Sequence, residues 1–198
     1  MLNGRPRGRP FRLLAGVSDL VPKLIAYRIL QPALEMAEPV QIVCDEDTPE
    51  RLLAVLGECR LDVVLSDAPI TSMLPVKAFN HQLGSCGVTL FAATKLAARY
   101  RIGFPACLDG APFLLPMEGG TNLRQSLEHW FDSHKIRPRV VGEFKDRALM
   151  KTFAESGSGI FADPSAIEEE IQEHYKVAVI GKIDSIVERF YPFRRNGR

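Results

Sequence analysis

The sequence predicts an α/β protein of two lobes, each built on strands that alternate with helices. Three observations predict it. Short apolar runs take turns with helix-spaced runs, the pattern of βαβ units around a parallel sheet. The alternation breaks once, between Val76 and Ala93, and then resumes. The 198 residues, 46% hydrophobic and 25% charged, suffice for two lobes of about 100 residues with real cores, and are too balanced for a disordered tail.

Met1 to Pro10 carry Arg5, Arg7 and Arg9 among Gly4, Pro6, Gly8 and Pro10. Those glycines and prolines block regular structure, so the stretch reads as a linker remnant and solvated tether, with direct DNA contact the sharper alternative. Phe11–Val17 is an apolar run that fits a buried parallel strand. Ser18 and Asp19 follow as N-caps, and Leu20, Val21, Leu24, Ile25, Ile29 and Ala33 recur at helical spacing. The unit repeats: a strand at Val40–Cys44, then Thr48 capping a helix with Pro49 at its first position. Leu52, Leu53, Leu56 and Cys59 give that helix an apolar face. A third strand, Leu61–Leu65, ends at Ser66-Asp67-Ala68-Pro69.

Val76–Leu83 and Val88–Ala93 read as two strands around a Gly84–Gly87 turn, followed by a helix over Thr94–Arg101. A strand at Phe113–Leu115 leads to Gly119-Gly120-Thr121-Asn122, a turn opening a helix with Leu123, Leu127, Trp130 and Phe131 on one face. Arg139–Phe144 is a strand. Asp146 caps a helix carrying Leu149, Met150 and Phe153, and Gly157 suits its C-terminal end. Gly159–Ala162 is a strand, Asp163-Pro164 opens a helix with Ile167 and Ile171, and Val177–Ile180 is the last clear strand. The expected division is a linker at 1–10, lobe I at 11–90 plus about 181–198, and lobe II at 91–180.

Several function classes are disfavoured. A net charge of +1 supplies no overall basic field for nucleic acid. No apolar run approaches the roughly 18 residues of a membrane span, and no signal peptide is readable. Cys44, Cys59, Cys86 and Cys107 form no CxxC pair and sit among apolar neighbours, so they read as buried small hydrophobes of a cytoplasmic protein. Ser156-Gly157-Ser158-Gly159 is not a nucleophile elbow, Gly181-Lys182 is not a P-loop, and neither HExxH nor GxGxxG occurs. His129 and His134 lie five apart, so they do not share a helix face as metal ligands would. No catalytic residue, metal site or cofactor is called for. A titrating histidine at an interface stays open.

Ligands of open parallel sheets bind outside the carboxyl ends of the strands. Those ends carry Ser18-Asp19, Asp45, Ser66-Asp67, Gly119–Asn122 and Gly157–Phe161. Helix N-termini there suit polar or anionic ligands, and glycines let backbone come close. Ser18, Thr121 and Asn122 also read as ordinary caps, and a cap can double as a ligand contact.

The stretch LPMEGGTNLRQSLEHWFDSHKIRPRVVGEFKDRALMKTFAESGSGIF is similar to the effector-binding domain of LysR-type transcriptional regulators. FRLLAGVSDLVPKLIAYRIL, LDVVLSDAPI and LPVKAFNHQLGSCGVTLFAA fit the same family, and within it the activators of sodium/proton antiporter genes, over roughly Arg9 to Tyr191. The resemblance implies the type II periplasmic-binding-protein fold, two Rossmann-like lobes joined by crossover strands. It implies a small-molecule or ion effector in a cleft lined by Ser18, Asp19, Asp67, Ala68, Pro69, Met117, Gly120, Thr121, Asn122, Gly159, Ile160 and Phe161. It implies a homodimer or tetramer with Leu20 and Leu24 of one chain against Leu123, Leu127 and Trp130 of the next. Trp130 and Phe131 stand as interface or core, with core preferred for Phe131. Sodium, pH or alkaline stress is the cue the subfamily suggests, and oxygens of Asp67, Ser18 and Asn122 are the candidates for a sodium ion. The family's winged helix-turn-helix is not in this sequence, so DNA would be reached only through that absent domain. The expected C-terminal helix is also not in it. The rival expectations are a solute-binding protein for transport and, further off, a small-acid lyase or dehydratase.

Overall fold

The computed structural model describes residues 10–69, 78–80, 82–117 and 122–195. The chain forms two compact units, residues 1–81 with 191–198 and residues 82–190.

In unit 1 the strands β1 (Phe11–Ser18), β2 (Val40–Asp47) and β3 (Val63–Ser66) are parallel and ordered β2-β1-β3. Two helical crossovers produce that order: α1 (Lys23–Leu30), continued by a 3₁₀ turn at Gln31–Glu35, and α2 (Pro49–Gly57). The end of β9 (Val177–Arg195) adds an antiparallel strand to β3, with Val64 opposite Phe193 and Ser66 opposite Tyr191. The short β4 (Ala78–Asn80) pairs on its far side. The i, i+1, i+4 spacing of Leu52, Leu53 and Leu56 puts them on one face of α2, and they bury against Leu61, Val64 and Phe193.

Unit 2 is centred on β5 (Gly84–Ala93), antiparallel to both β8 (Phe161–Pro164) and the first part of β9. β6 (Pro112–Pro116) and β7 (Arg139–Phe144) form a parallel pair, and Phe113 bridges to Ile160. Helices α3 (Thr94–Tyr100), α4 (Asn122–Ser133), α5 (Arg147–Glu155) and α6 (Glu168–Tyr175) complete it. Its core joins Leu90, Leu108, Phe113, Leu115, Leu127 and Ile183, all at most 2% exposed.

Local structure departs from expectation at identifiable points. Ser18 ends β1 and does not cap α1; Pro22 holds the cap position with no side-chain bond. Gly84–Gly87 is strand, not turn, because β9 pairs with it from Gly84–Phe190 to Cys86–Glu188, before a bulge at Cys86/Val88. The strand expected at Gly159–Ala162 starts at Phe161. Asp163 and Pro164 belong to it because Asp163 is in register with Thr89, and α6 begins at Glu168. The strand read as Val177–Ile180 runs on to Arg195. None of the four cysteines is fully buried; Cys44 and Cys59 are exposed. Cys59 has φ +63° and occupies the left-handed residue that closes α2, with Arg60 N–H donating to Val55 O at 3.2 Å.

Other signals hold. Asp146 Oδ1 accepts from Ala148 N at 2.7 Å and caps α5. Gly157 has φ +89°, a conformation glycine adopts without strain. Its N–H donates to Ala154 O at 3.0 Å and Ser158 N–H to Phe153 O at 3.1 Å, which completes the α5 C-cap.

Candidate functional site at the strand ends

The register of the parallel strands decides which residues meet at the carboxyl edge of unit 1. Ser18 lies opposite Asp47 on β2. Val17 lies opposite Leu65 on β3, so Ser18 and Ser66 are the next residues along the two neighbouring strands. Tyr191 of β9 sits opposite Ser66. One edge therefore aligns Asp47, Ser18, Ser66 and Tyr191, with Asp19 and Asp67 immediately beyond.

The two serines are built alike. Ser18 is fully buried and its Oγ accepts from Leu20 N at 3.2 Å. Ser66 is buried and its Oγ accepts from Ala68 N at 3.3 Å. These bonds fix each hydroxyl over its own turn and spend only acceptor capacity, so each O–H remains a donor. Asp47 is committed locally, accepting from Thr48 N at 2.8 Å and from exposed Arg51 at 3.4 Å. Asp19 N–H donates to Asp47 O at 3.1 Å, which pins the turn after β1. Asp19 Oδ1 is buried and, among the described residues, accepts no hydrogen bond. Asp67 is 8% exposed, Ala68 half-buried and Pro69 exposed. A buried carboxylate oxygen is costly to leave unsatisfied, which makes this edge a place where a donor or a cation is favoured.

The other expected residues lie in unit 2. Met117 is half-exposed, its N–H donating to Phe144 O at 3.1 Å. Asn122 is exposed at the first position of α4. Gly120 and Thr121 lie outside the described residues. Gly159 is buried, and Ile160 and Phe161 are fully buried. Phe161 stacks on Phe91 at 5.4 Å, and Ile160 N–H donates to Pro112 O at 2.8 Å. These three are packing residues, and the amides of Gly157, Ser158 and Ile160 are spent on the protein rather than aimed at a ligand. Leu123, Leu127 and Trp130 are buried inside unit 2 and serve its core, so their side chains do not form a pairing surface. Leu20 and Leu24 are half-buried.

Sequence reading missed Arg124. It is buried, with Nη1 donating to Pro116 O at 2.9 Å and to Glu143 Oε1 at 2.7 Å, and Nε to Glu128 Oε1 at 2.5 Å. Burial works to lower its pKa, but the Glu128 and Glu143 carboxylates outweigh it and hold the guanidinium above its ordinary value. Arg124 thus clamps the start of α4 to the ends of β6 and β7. The i,i+4 spacing to Glu128 was its available signal.

The description "LysR substrate binding domain" matches residues 9–191. The chain belongs to this LysR family. It is 31% identical over 176 residues to the transcriptional activator protein NhaR of Escherichia coli, covering 89% of this chain and 57% of that protein. The chain therefore spans little more than half the length of that relative. Two solved structures share the fold. The apo regulatory domain of HypT from Salmonella typhimurium has a TM-score of 0.70 at 16% identity, covering 95% of this chain and 88% of that one. The reduced regulatory domain of OxyR2 from Vibrio vulnificus has a TM-score of 0.69 at 16% identity, covering 96% and 88%. The LysR domain here has the type II periplasmic-binding-protein-like α/β fold, and its family relatives are transcriptional regulators.

Proposed function

We propose that this chain is the effector-sensing domain of a cytoplasmic LysR-type activator of the NhaR kind, responding to sodium or alkaline stress without a catalytic step. The ligand is a small molecule or ion. Its unit 1 contacts are Ser18, Asp19 and Asp67, and Asn122, with Gly120 and Thr121, is the expected contribution from unit 2. The observation that carries this reading is the buried Asp19 Oδ1 beside two fixed serine hydroxyls on one strand edge. Family membership supports the regulatory role, and a solute-binding protein or a lyase has no comparable support. Operator DNA would be read by a winged helix-turn-helix domain outside this sequence, with the sensing domain paired as a dimer or tetramer.

A ligand that binds only the folded state raises the unfolding midpoint as its concentration rises. Thermal unfolding is measured in sodium, lithium or potassium at matched ionic strength, at several pH values, and with a panel of small organic anions. A sodium- or lithium-specific rise that Ser18→Ala and Asp67→Asn both remove supports direct ion sensing at this edge. Equal curves for sodium and potassium refute it, and a rise unchanged in both variants moves the site elsewhere.

A further inference from the structure

A pocket of about 550 Å³ opens on unit 2 between the second half of α4 and the Ser185–Arg189 stretch of β9. It shares no residue with the strand-end site. Its volume is in the range of small-molecule pockets and far above what one water needs.

Its lining has a consistent chemistry. Arg189, His129 and His134 line it, together with serine hydroxyls such as Ser185, and among the described residues no carboxylate does. The nearby acids are turned elsewhere or already engaged. Asp184 Oδ1 lies beside Gly87, where a Cβ would meet it at 3.3 Å. Glu188 is buried and its charge acts on Cys86. Asp132 pairs with Arg137 at 3.8 Å. Arg124 and Arg147 each hold a carboxylate, whereas Arg189 has no ion pair among the described residues.

The floor is apolar and packed into the core of unit 2. Trp130 and Ile186 are 7% and 5% exposed and belong to the unit 2 core. Trp130 packs against Phe104 and Phe131 at 6.2 and 5.7 Å. His134 lies over the indole at 4.4 Å, with Nδ1 at 2.9 Å from Trp130 O. A carbonyl only accepts, so Nδ1 carries the proton of that bond and the ring is held in place. A guanidinium with no ion pair among the described residues, lining one pocket with an apolar aromatic floor, suits a ligand with one anionic head and an apolar body.

We propose that this pocket is a second ligand site, taking a small organic acid with its carboxylate on Arg189 and its apolar body on Trp130 and Ile186. Trp130 is the only tryptophan of the sequence, so intrinsic emission reports this pocket. The 198-residue chain is titrated with hexanoate, and in parallel with inorganic phosphate, at constant ionic strength. The expected result is a saturable emission change with hexanoate, weaker binding of phosphate, and about tenfold weaker hexanoate binding in Arg189→Gln. His134→Gln, in the same lining, weakens it in the same direction, and circular dichroism checks that both variants are folded. Ser18→Ala leaves the titration unchanged, which separates this site from the strand-end site. No saturation, equal binding of phosphate and hexanoate, or full affinity in a folded Arg189→Gln would each overturn the proposal.

Discussion

Replacing Asp163 by asparagine tests the electrostatics of unit 2 most directly. Asp163 is fully buried; its Oδ1 accepts from Arg147 Nη2 at 2.5 Å and its Oδ2 is ion-paired with Lys151 Nζ at 2.6 Å. Both cations are nearly buried, their side chains 10% and 6% exposed. Lys151 also stands over the Tyr175 ring at 5.4 Å. Asparagine keeps the shape, so cavity formation contributes little and the loss is that of the charge. Removing one partner of a buried ion pair costs about 3–5 kcal/mol. One carboxylate here serves two cations, which places the expected loss toward the upper end, at about 5 kcal/mol. For a chain of this length each kcal/mol moves Tm by about 2–4 °C, so Tm falls by about 10–20 °C. Thermal and urea unfolding followed by circular dichroism measure it. Adding Lys151→Met to Asp163→Asn removes one stranded cation, so the double variant is more stable than Asp163→Asn alone. Breaking the exposed Arg51–Asp47 pair serves as the control and costs at most about 1 kcal/mol. A loss for Asp163→Asn no larger than that control, or a double variant less stable than the single, refutes the reasoning.

Three further outcomes follow from packing and burial. Leu127→Ala costs about 2–5 kcal/mol in urea unfolding, and the loss is independent of protein concentration because Leu127 is in the core of unit 2; exposed Gln125→Ala on the same helix is close to neutral. Gly159→Ala costs about 1–3 kcal/mol, because a Cβ there would lie 2.9 Å from Leu114 Cγ and 3.2 Å from Pro112 O; a neutral result would show that β6 yields easily. Partial desolvation pushes the thiols of half-buried Cys86 and Cys107 above their ordinary value, and does the same, with the Glu46 charge, at the more exposed Cys44. Their thiolate fraction at pH 7 is therefore small and iodoacetamide alkylation slow, rising only as pH climbs past the usual thiol range. Rapid labelling of any of the three at neutral pH would contradict this.

The alternating apolar runs made the α/β class legible because each βαβ unit is written in consecutive residues. The family was legible from the wording around Met117 to Phe161, and the Asp146 and Gly157 caps from single residue types. The errors arose where a partner from far along the chain overrides local preference. Gly84–Gly87 looks like a turn in isolation and is strand because Phe190 to Glu188 pair with it. Asp163 looks like a helix cap and is strand because it meets Thr89. At the candidate site, Ser18 and Asp67 were readable as strand ends. Their alignment with Asp47 and Tyr191 was not, since register depends on crossover lengths that sequence leaves open. Leu123, Leu127 and Trp130 show the same limit: an apolar helix face reads alike whether it meets its own sheet or another chain.

The core of unit 1 contains Phe193, which is fully buried against Leu52, Leu56 and Val64. During synthesis the first eighty or so residues therefore leave the ribosome well before this ring arrives to close their core. Residues 82–190 form one uninterrupted unit and need nothing from later in the chain to fill theirs. The order of maturation is thus the reverse of the order of translation: the unit made second can consolidate while the unit made first waits.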